Sequence, residues 1–525
     1  MHGLEREESE GDGRPTLPGF SRVATRKGFD VRTTFVGSTS QFLYTIHGWM
    51  LHYLFYTSTE RKKAVEELYL AIPGEEKNES MLTRDERIEA GRALRKDIPR
   101  SAHAEWRSAS DRPDPIDLLQ QGDQYRLAEL VPIRYGRMLV NPFTFLRGSA
   151  MIMANDLAST ATTGIRVQVC GDAHLSNFGT YATPERNRVF DVNDFDETLP
   201  GPWEWDIKRL ATSFVVAGRS LSFPESVNRQ AALRCVQSYR EHMWMFAGMS
   251  NLDLWYTRID IESTLLRIHP DSRAYLHREL ERARRRTNNH VFPKLAREDQ
   301  GKYTIKDDPP LISHIEDGVW IDQVPDMIER YIESLPDDRR VLLSRYRLID
   351  IALKVVGVGS VGTRCYIALL LGDQDDDPLF LQIKQAQASV LEPYVGISRY
   401  GNHARRIVYG QRLMQAASDI FLGWTRYDNI NFYVRQLRDM SLSPNIDRMG
   451  TNDLITYAGL CGWVLARGHA RSGDSVRISS YLGKSDTFDQ AITAFAETYA
   501  DQVERDHTAL VTAVESGRIT AEVGV

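Results

Sequence analysis

Apolar positions recur along this chain with two different periods, and the change from one to the other divides it. From about Met81 to Arg137 the pattern is helical, with charged "TRDERIEAGRALRKDIP" followed by proline-containing breaks at "DRPDPIDLL". "PFTFLRGSAMIMANDLAST" predicts a buried helix started by Pro142, whose small residues permit close packing. The β-branched run "GIRVQVC" predicts a short strand leading into "GDAHLSNFG", and "RNRVFDVNDFDE" a second strand ending in acids. A long helical region runs from "EWDIKRLATSFVVAGRSL" to about Arg286, followed by an irregular stretch through "DDPPLISHIEDG". Around residue 340 the texture changes. "LIDIALKVVGVGSVGTRCYIALLLGDQDDDPLFLQIKQA" alternates β-rich runs with turn signals, with a hairpin turn expected at "GDQDDDP". Beyond it, "HARRIVYGQRLMQAAS" predicts an amphipathic helix, "DIFLGWT" and "NFYVRQLRDM" strands, and "DLITYAGLCGWVLARGHARSGD" and "FDQAITAFAETYADQVERDHTALVTAVE" helices.

Composition narrows the class of protein without naming an activity. The chain has 525 residues, 42% of them hydrophobic and 26% charged, as in ordinary globular proteins. A formal net charge of −6 offers no broad basic field for nucleic acid. The local run "RARRRTNNH", with Arg282, Arg284, Arg285 and Arg286, reads as a solvated helix face. Four scattered cysteines, Cys170, Cys235, Cys365 and Cys461, form no C-x-x-C pair or zinc-ligand spacing, so buried thiols in a reducing, cytoplasmic compartment are expected. The acidic, Gly- and Pro-containing start lacks the basic and apolar segments of a signal peptide and reads as a disordered tail. The aromatic stretch Phe42 to Tyr56 is too short to cross a bilayer; it reads as a packed helix, with membrane-surface contact as the alternative. No long apolar run predicts a transmembrane span.

The chemistry concentrates in two places. In "GDAHLSNFG", Asp172 and Asn177 sit in a loop leaving a strand, and "VNDFDET" then supplies Asp194 and Asp196. Phosphoryl transfer from ATP needs such groups: a carboxylate to take the acceptor hydroxyl's proton, and hard oxygens to hold Mg²⁺ against the phosphates. Any one of these residues also serves to make a turn; the array as a whole is what points to function. The second place is "VVGVGSVGTRCYIALLLG", whose Gly357, Gly359 and Gly362 form a G-x-G-x-x-G. A dinucleotide site needs a helix after the third glycine. The β-leaning sequel instead predicts strand, glycine loop, strand, the arrangement that lays backbone over ATP phosphates. Lys384 follows in "LFLQIKQA", just after the apolar Leu381 and Ile383, so it is expected to be partly buried and to need an anionic partner.

The acidic array resembles the catalytic segment of the aminoglycoside phosphotransferase branch of the kinase-like superfamily. "GDAHLSN" corresponds to its "GD-x-H-x-x-N", "NDFDET" to its metal-binding strand end, and "WDIKRLA" to the helix that follows. The resemblance implies Asp172 as catalytic base and Asn177 and Asp194 as Mg²⁺ ligands. Asp196 is a second metal candidate, Asp191 a weaker one, and His174 and Asp206 are structural. It also implies that Gly357, Gly359, Ser360, Gly362 and Lys384 hold the phosphates, and that Gln436 to Arg438 border the adenine pocket. The helix "HARRIVYGQRLMQAAS" lacks the glutamate that pairs with the lysine in kinases. Glu392 comes too early, and Gln411 and Gln415 are the polar stand-ins.

These parts stand in inverted order, catalytic and metal loops first. The expected fold class is therefore α+β, a two-lobed protein kinase-like fold, circularly permuted, with extra N-terminal helices. The expected divisions are a variable extension over 1–80, a helical catalytic lobe over 81–335, a β-rich nucleotide lobe over 336–445, and C-terminal helices returning over 446–525. "LITYAGLCGWVLARGHA" resembles the helix that runs into the catalytic loop. Longer signatures, among them "ELVPIRYGRMLVNPFTFLRGSA", "FDVNDFDETLPGPWEWDIKRLATS" and "GQRLMQAASDIFLGW", resemble the bacterial domain of unknown function 2252 family. The expectation is an ATP- and Mg²⁺-dependent phosphotransferase acting on a hydroxyl of a small molecule or protein. The alternatives are AMP transfer on the same fold or a nucleotide-binding pseudokinase. Two motifs stay open. Arg147 in "FTFLRGSA" either holds a phosphate or acidic substrate or satisfies buried carbonyls. Arg467, His469, Arg471 and Asp474 in "ARGHARSGD" either face the cleft or supply C-terminal helix charge.

Overall fold

The computed structural model describes residues 82–525 except 263–272, 274–276, 279–280, 282–287, 315–317, 374–376 and 438–442. The extension over 1–80 with its 42–56 stretch, the arginines of the basic run and Arg438 lie outside the described residues.

Among the described residues the helices are α1 (Arg84–Asp97), α2 (Pro115–Asp123), α3 (Val131–Met138), α4 (Pro142–Gly148), α5 (Ala150–Leu157), α6 (Trp203–Ser220), α7 (Glu225–Ala247), α8 (Asn251–Tyr256), α9 (Asn288–Leu295), α10 (Gly318–Glu333), α11 (Asp337–Leu343), α12 (Glu392–Val395), α13 (His403–Met414), α14 (Thr451–Ser472), α15 (Ser475–Leu482) and α16 (Thr487–Glu515). The strands are β1 (Arg166–Val169), β2 (Phe178–Ala182), β3 (Arg188–Val192), β4 (Leu199–Pro202), β5 (Ile259–Asp260), β6 (Ala296–Asp299), β7 (Lys302–Ile305), β8 (Ile312–Ser313), β9 (Arg347–Lys354), β10 (Cys365–Leu371), β11 (Pro378–Ala386), β12 (Gly423–Tyr427) and β13 (Ile430–Gln436). The class is α+β.

The first core is helical. Every residue of α6 from Trp203 to Gly218 is buried, because α7, α14 and α16 pack around it. Trp203 stacks on Tyr239 of α7 at 5.7 Å and tilts against Phe488 of α16 at 5.2 Å. Burying a helix on all sides also buries its charges, so Glu204, Asp206, Lys208 and Arg209 must find their partners inside. The predicted buried helix after Pro142 is two helices. It breaks at Ser149, whose backbone N–H and Oγ both donate to the Leu146 carbonyl, leaving Arg147 in the last turn of α4.

The second core is a sheet in the order β12-β13-β11-β10-β9-β8, with every pairing antiparallel. Side-chain alternation gives it two different faces. Leu381 and Ile383 of β11 and Phe432 and Val434 of β13 pack against Val324, Met327 and Tyr331 of α10. On the other face, Phe380 packs with Ile367, Leu369 and the ribbon of β6 and β7, and Lys384 lies further along the same strand. The packing partners of the sheet thus begin well before the change of texture near 340, in a region read as irregular. The predicted strand in "DIFLGWT" starts only at Gly423, because Asp419 folds back to accept a hydrogen bond from the Phe421 backbone N–H at 2.9 Å.

Candidate functional site

The acid loop is built from β1 outward. Asp206, in the first turn of α6, accepts hydrogen bonds from the backbone N–H groups of Cys170 (2.7 Å) and Gly171 (3.0 Å), clamping the chain where it leaves the strand. His469 of α14 contacts the same carboxylate at 3.2 Å, and the Tyr239 hydroxyl meets its other nitrogen at 2.9 Å. Tyr457, about three turns earlier in α14, donates to the carbonyls of Leu175 (2.8 Å) and Phe178 (2.9 Å). The loop is therefore held from two helices far apart in sequence.

Asp172 is oriented by Arg209, whose Nε donates to Oδ1 at 2.6 Å. Burial raises the Asp172 carboxyl above its ordinary value against the opposing pull of Arg209, which suits a proton acceptor. Asn177 donates through Nδ2 to the Asp172 carbonyl at 2.8 Å, so its Oδ1 is the atom left for a ligand. His174 is buried. Its imidazole is held well below its ordinary value by burial and by Arg147 and Arg209, so it is neutral packing beneath the loop.

The glycine loop joins β9 to β10. Gly357 is extended, Val358–Ser360 makes a short turn, and Gly362 has φ of +87°, a conformation that favours glycine. A Cβ on Gly362 would also lie 3.0 Å from Cβ of Arg126. Arg126 donates to the carbonyls of Gly359 (3.0 Å) and Val361, Arg137 donates to that of Val356, and the Leu127 N–H donates to that of Gly362 at 2.7 Å. The loop is thus pinned by the segment that precedes and includes α3.

Lys384 projects from β11 toward the acid loop and forms an ion pair with Asp196. The Tyr433 hydroxyl, on the neighbouring strand, donates to the other oxygen of Asp196 at 2.9 Å, and Ser360 Oγ lies 3.4 Å from the first. Burial alone would lower the Lys384 ammonium, but Asp194 and Asp196 carry it well above its ordinary value. Burial would raise Asp196, and Lys384 pulls it below. The acid loop and the β11 face close on one cavity of about 670 Å³, rimmed by Gly357, Gly359 and Ser360 and reached by Asp172, Asn177, Asp194 and Lys384.

A family profile described as an uncharacterized protein conserved in bacteria matches residues 126–513. The chain belongs to the DUF2252 family. No curated protein and no solved structure matches it. In this DUF2252 protein the matched span contains both halves of the cavity, the acid loop and the glycine loop with its lysine.

Several site residues have other places than the sequence implied. Asp196, expected as a metal candidate, has both oxygens engaged and is the partner of Lys384. It takes the part expected of a helix glutamate. Gln411 and Gln415 do not stand in: Gln411 donates to Gln415 at 2.9 Å, and Gln415 donates to the Val192 carbonyl at 2.7 Å. Asp191, the weaker metal candidate, is buried in an ion pair with Arg467. Gln436 is off the cavity, because it shares the strand face of Phe432 and Val434; its neighbour Arg435 lines the cavity instead. Arg435 donates to Gln382 at 3.0 Å and to the Asn193 carbonyl at 3.1 Å. In "ARGHARSGD", His469 braces the acid loop through Asp206, Arg471 donates to the Gln415 carbonyl, and Asp474 accepts from the N–H groups of Val476 and Arg477 that open α15. These are scaffold roles.

Sequence reading missed Arg126, Arg137, Arg209, Glu197 and Tyr433. Only Arg209 had a signal, in "WDIKRLA" one turn after Asp206. Glu197, next to the Lys384 partner, lines the cavity, and burial pushes its carboxyl up to about 7 against the pull of Arg406.

As to a metal, among the described residues no group of three or more His, Cys, Asp or Glu is arranged to hold one. Asn177 and Asp194 make a two-oxygen set of the kind Mg²⁺ accepts while it keeps waters and phosphate oxygens. Among the described residues no helix is long and apolar enough to cross a membrane.

Proposed function

We propose that this DUF2252 protein is a Mg²⁺/ATP-dependent phosphotransferase acting on a hydroxyl, built on a circularly permuted, two-lobed kinase-like fold. The observation that carries the reading is that Lys384 and the glycine loop share one cavity with Asp172, Asn177 and Asp194, although they follow them in the chain. Permutation is supported by α14, which follows the six-stranded sheet in sequence yet braces the acid loop through Tyr457, as the helix leading into a catalytic loop would. The absence of a helix glutamate does not argue for a pseudokinase in this reading, since Asp196 pairs with Lys384.

In this reading Asp172 takes the proton of the acceptor hydroxyl. The acceptor oxygen bonds to the terminal phosphorus, and the bond from that phosphorus to the bridging oxygen breaks, releasing ADP. Asn177 and Asp194 would hold Mg²⁺, which when bound supplies charge neutralisation at the phosphates. Lys384 and the glycine loop orient the phosphates, so catalysis is mainly positioning. The acceptor is a hydroxyl of a small molecule or a protein.

AMP transfer is the second reading, and Arg435 with Gln382 favours it. Beyond Lys384 on the same face of β11 the cavity is lined by these polar groups rather than the apolar wall a base prefers. A cation there suits phosphates entering in the opposite sense.

The test is a thermal shift with Mg-ATP followed by label transfer to panels of metabolites and peptides. Mg-ATP is expected to stabilise the protein, and label from the γ-phosphate to appear on product. Asp172→Asn is expected to keep binding and lose transfer. Label from the α-phosphate would decide for AMP transfer, and no stabilisation of the folded protein by Mg-ATP would overturn both.

A further inference from the structure

Among the described residues five lysines and arginines reach the cavity, and four of them already have partners. Lys384 pairs with Asp196, and Arg435 donates to Gln382 and the Asn193 carbonyl. Arg126 donates to glycine-loop carbonyls, and Arg134 donates to Asp123 at 2.9 Å and the Gly148 carbonyl at 2.8 Å. The fifth is Arg147. Among the described residues its Nε is buried without a hydrogen-bond partner, and no ion pair holds its guanidinium.

Its position is fixed. Asn141 caps α4 with a reciprocal bond to Thr144, Pro142 opens the first turn, and the break at Ser149 ends the helix just after Arg147. The residue lies directly beneath the glycine loop. Its carbonyl is 3.1 Å from where a Cβ on Gly359 would be, and its Nη2 is 4.0 Å from the equivalent point on Gly357. It also feels the charge of Asp172, which offsets part of the lowering that burial imposes on the guanidinium. A half-buried guanidinium whose Nε is cut off from water without a partner among the described residues gains from an anion that completes it, and its planar fork matches a phosphate.

We propose that Arg147 is the binding group for a phosphate-type dianion, and that this dianion is the phosphoryl group being transferred. This rests on the reading of the cavity as a Mg-ATP site. Held between the glycine loop and Asp172, Arg147 would donate hydrogen bonds to the non-bridging oxygens of the terminal phosphate. It neutralises charge as the acceptor oxygen bonds to phosphorus and the bond to ADP breaks, and it neither gains nor loses a proton.

The experiment titrates wild type, Arg147→Gln and Arg147→Lys with Mg-ATP, Mg-ADP and inorganic phosphate. It also measures turnover of Mg-ATP, with water as acceptor if no other is known. Arg147→Gln is expected to lose at least about tenfold in Mg-ATP affinity with little change for Mg-ADP. It should also lose about 10³-fold in turnover and the thermal stabilisation by inorganic phosphate. Arg147→Lys keeps the charge without the fork, so phosphate stabilisation should persist while turnover falls; it serves as the folded control. Equal loss for Mg-ATP and Mg-ADP, or no change for either, would overturn the assignment. If wild type binds no nucleotide but inorganic phosphate stabilises it through Arg147, the nucleotide reading falls. The dianion then comes from a phosphorylated substrate, and the site itself stands.

Discussion

Among the described residues two lysines are buried, and they behave in opposite ways. Lys384, 3% exposed, lies on the sheet face of the cavity against Asp196, and its ammonium is held well above its ordinary value. Lys208, fully buried in α6, has no hydrogen-bond partner for its Nζ among the described residues and sits over the Phe495 ring at 4.8 Å. Burial lowers it to about 8, with Glu204 nearby opposing the shift. Burial alone therefore does not mark a functional lysine. What separates the two is an open cavity and, for Lys384, a carboxylate in direct ion-pair contact that comes from a part of the chain distant in sequence.

The comparison breaks most directly on ligand binding. Lys384→Met is expected to weaken Mg-ATP binding about 10–100-fold, the loss of one charge-assisted contact, while Lys208→Met leaves it unchanged in a calorimetric titration. Equal effects would erase the distinction.

A smaller effect lies in the pH dependence of stability. The folded value of Lys208 is depressed, so between about 8 and 10.5 the unfolded chain binds more protons than the native one, and stability rises with pH in that window. The rise is expected to be about 1–2 kcal/mol in urea unfolding, part of the shift being shared with Glu204, and to vanish in Lys208→Met. Lys384→Met should keep it, because its own raised value places no such gain there.

The smallest expected effect is at Glu197. A carboxyl raised to about 7 favours its protonated form in the fold, so its contribution is present below about 4.5 and lost as pH rises through 7. Glu197→Gln stays neutral and still accepts from the Val390 N–H, a bond of 2.7 Å in the wild type. It should match wild type at low pH and exceed it by about 1 kcal/mol at pH 8 in the same unfolding assay.

Much of this was legible in the order of residues. The strand, glycine loop, strand pattern was legible because β-rich runs and turn signals are local, and the apolar neighbours Leu381 and Ile383 announced a buried strand for Lys384, although alternation puts them on the opposite face. The acid loop was legible because turn chemistry and a following helix start, "WDIKRLA", are also local. Alternation puts Arg435 and Gln436 on opposite faces of β13, but only the pairing of β13 with β11 puts Arg435 on the side of Lys384 and the cavity.

What only the tertiary structure decided is pairing across the chain. Asp196 meets Lys384, Arg126 pins the glycine loop, α14 braces the acid loop from far along the sequence, and the Nε of Arg147, near Gly357, has no partner among the described residues. The sequence by itself determined which groups are available and on which kind of element each stands. Which charge satisfies which is settled by packing, because a buried ion takes whatever opposite charge the folded chain brings within a few ångströms, irrespective of separation along it.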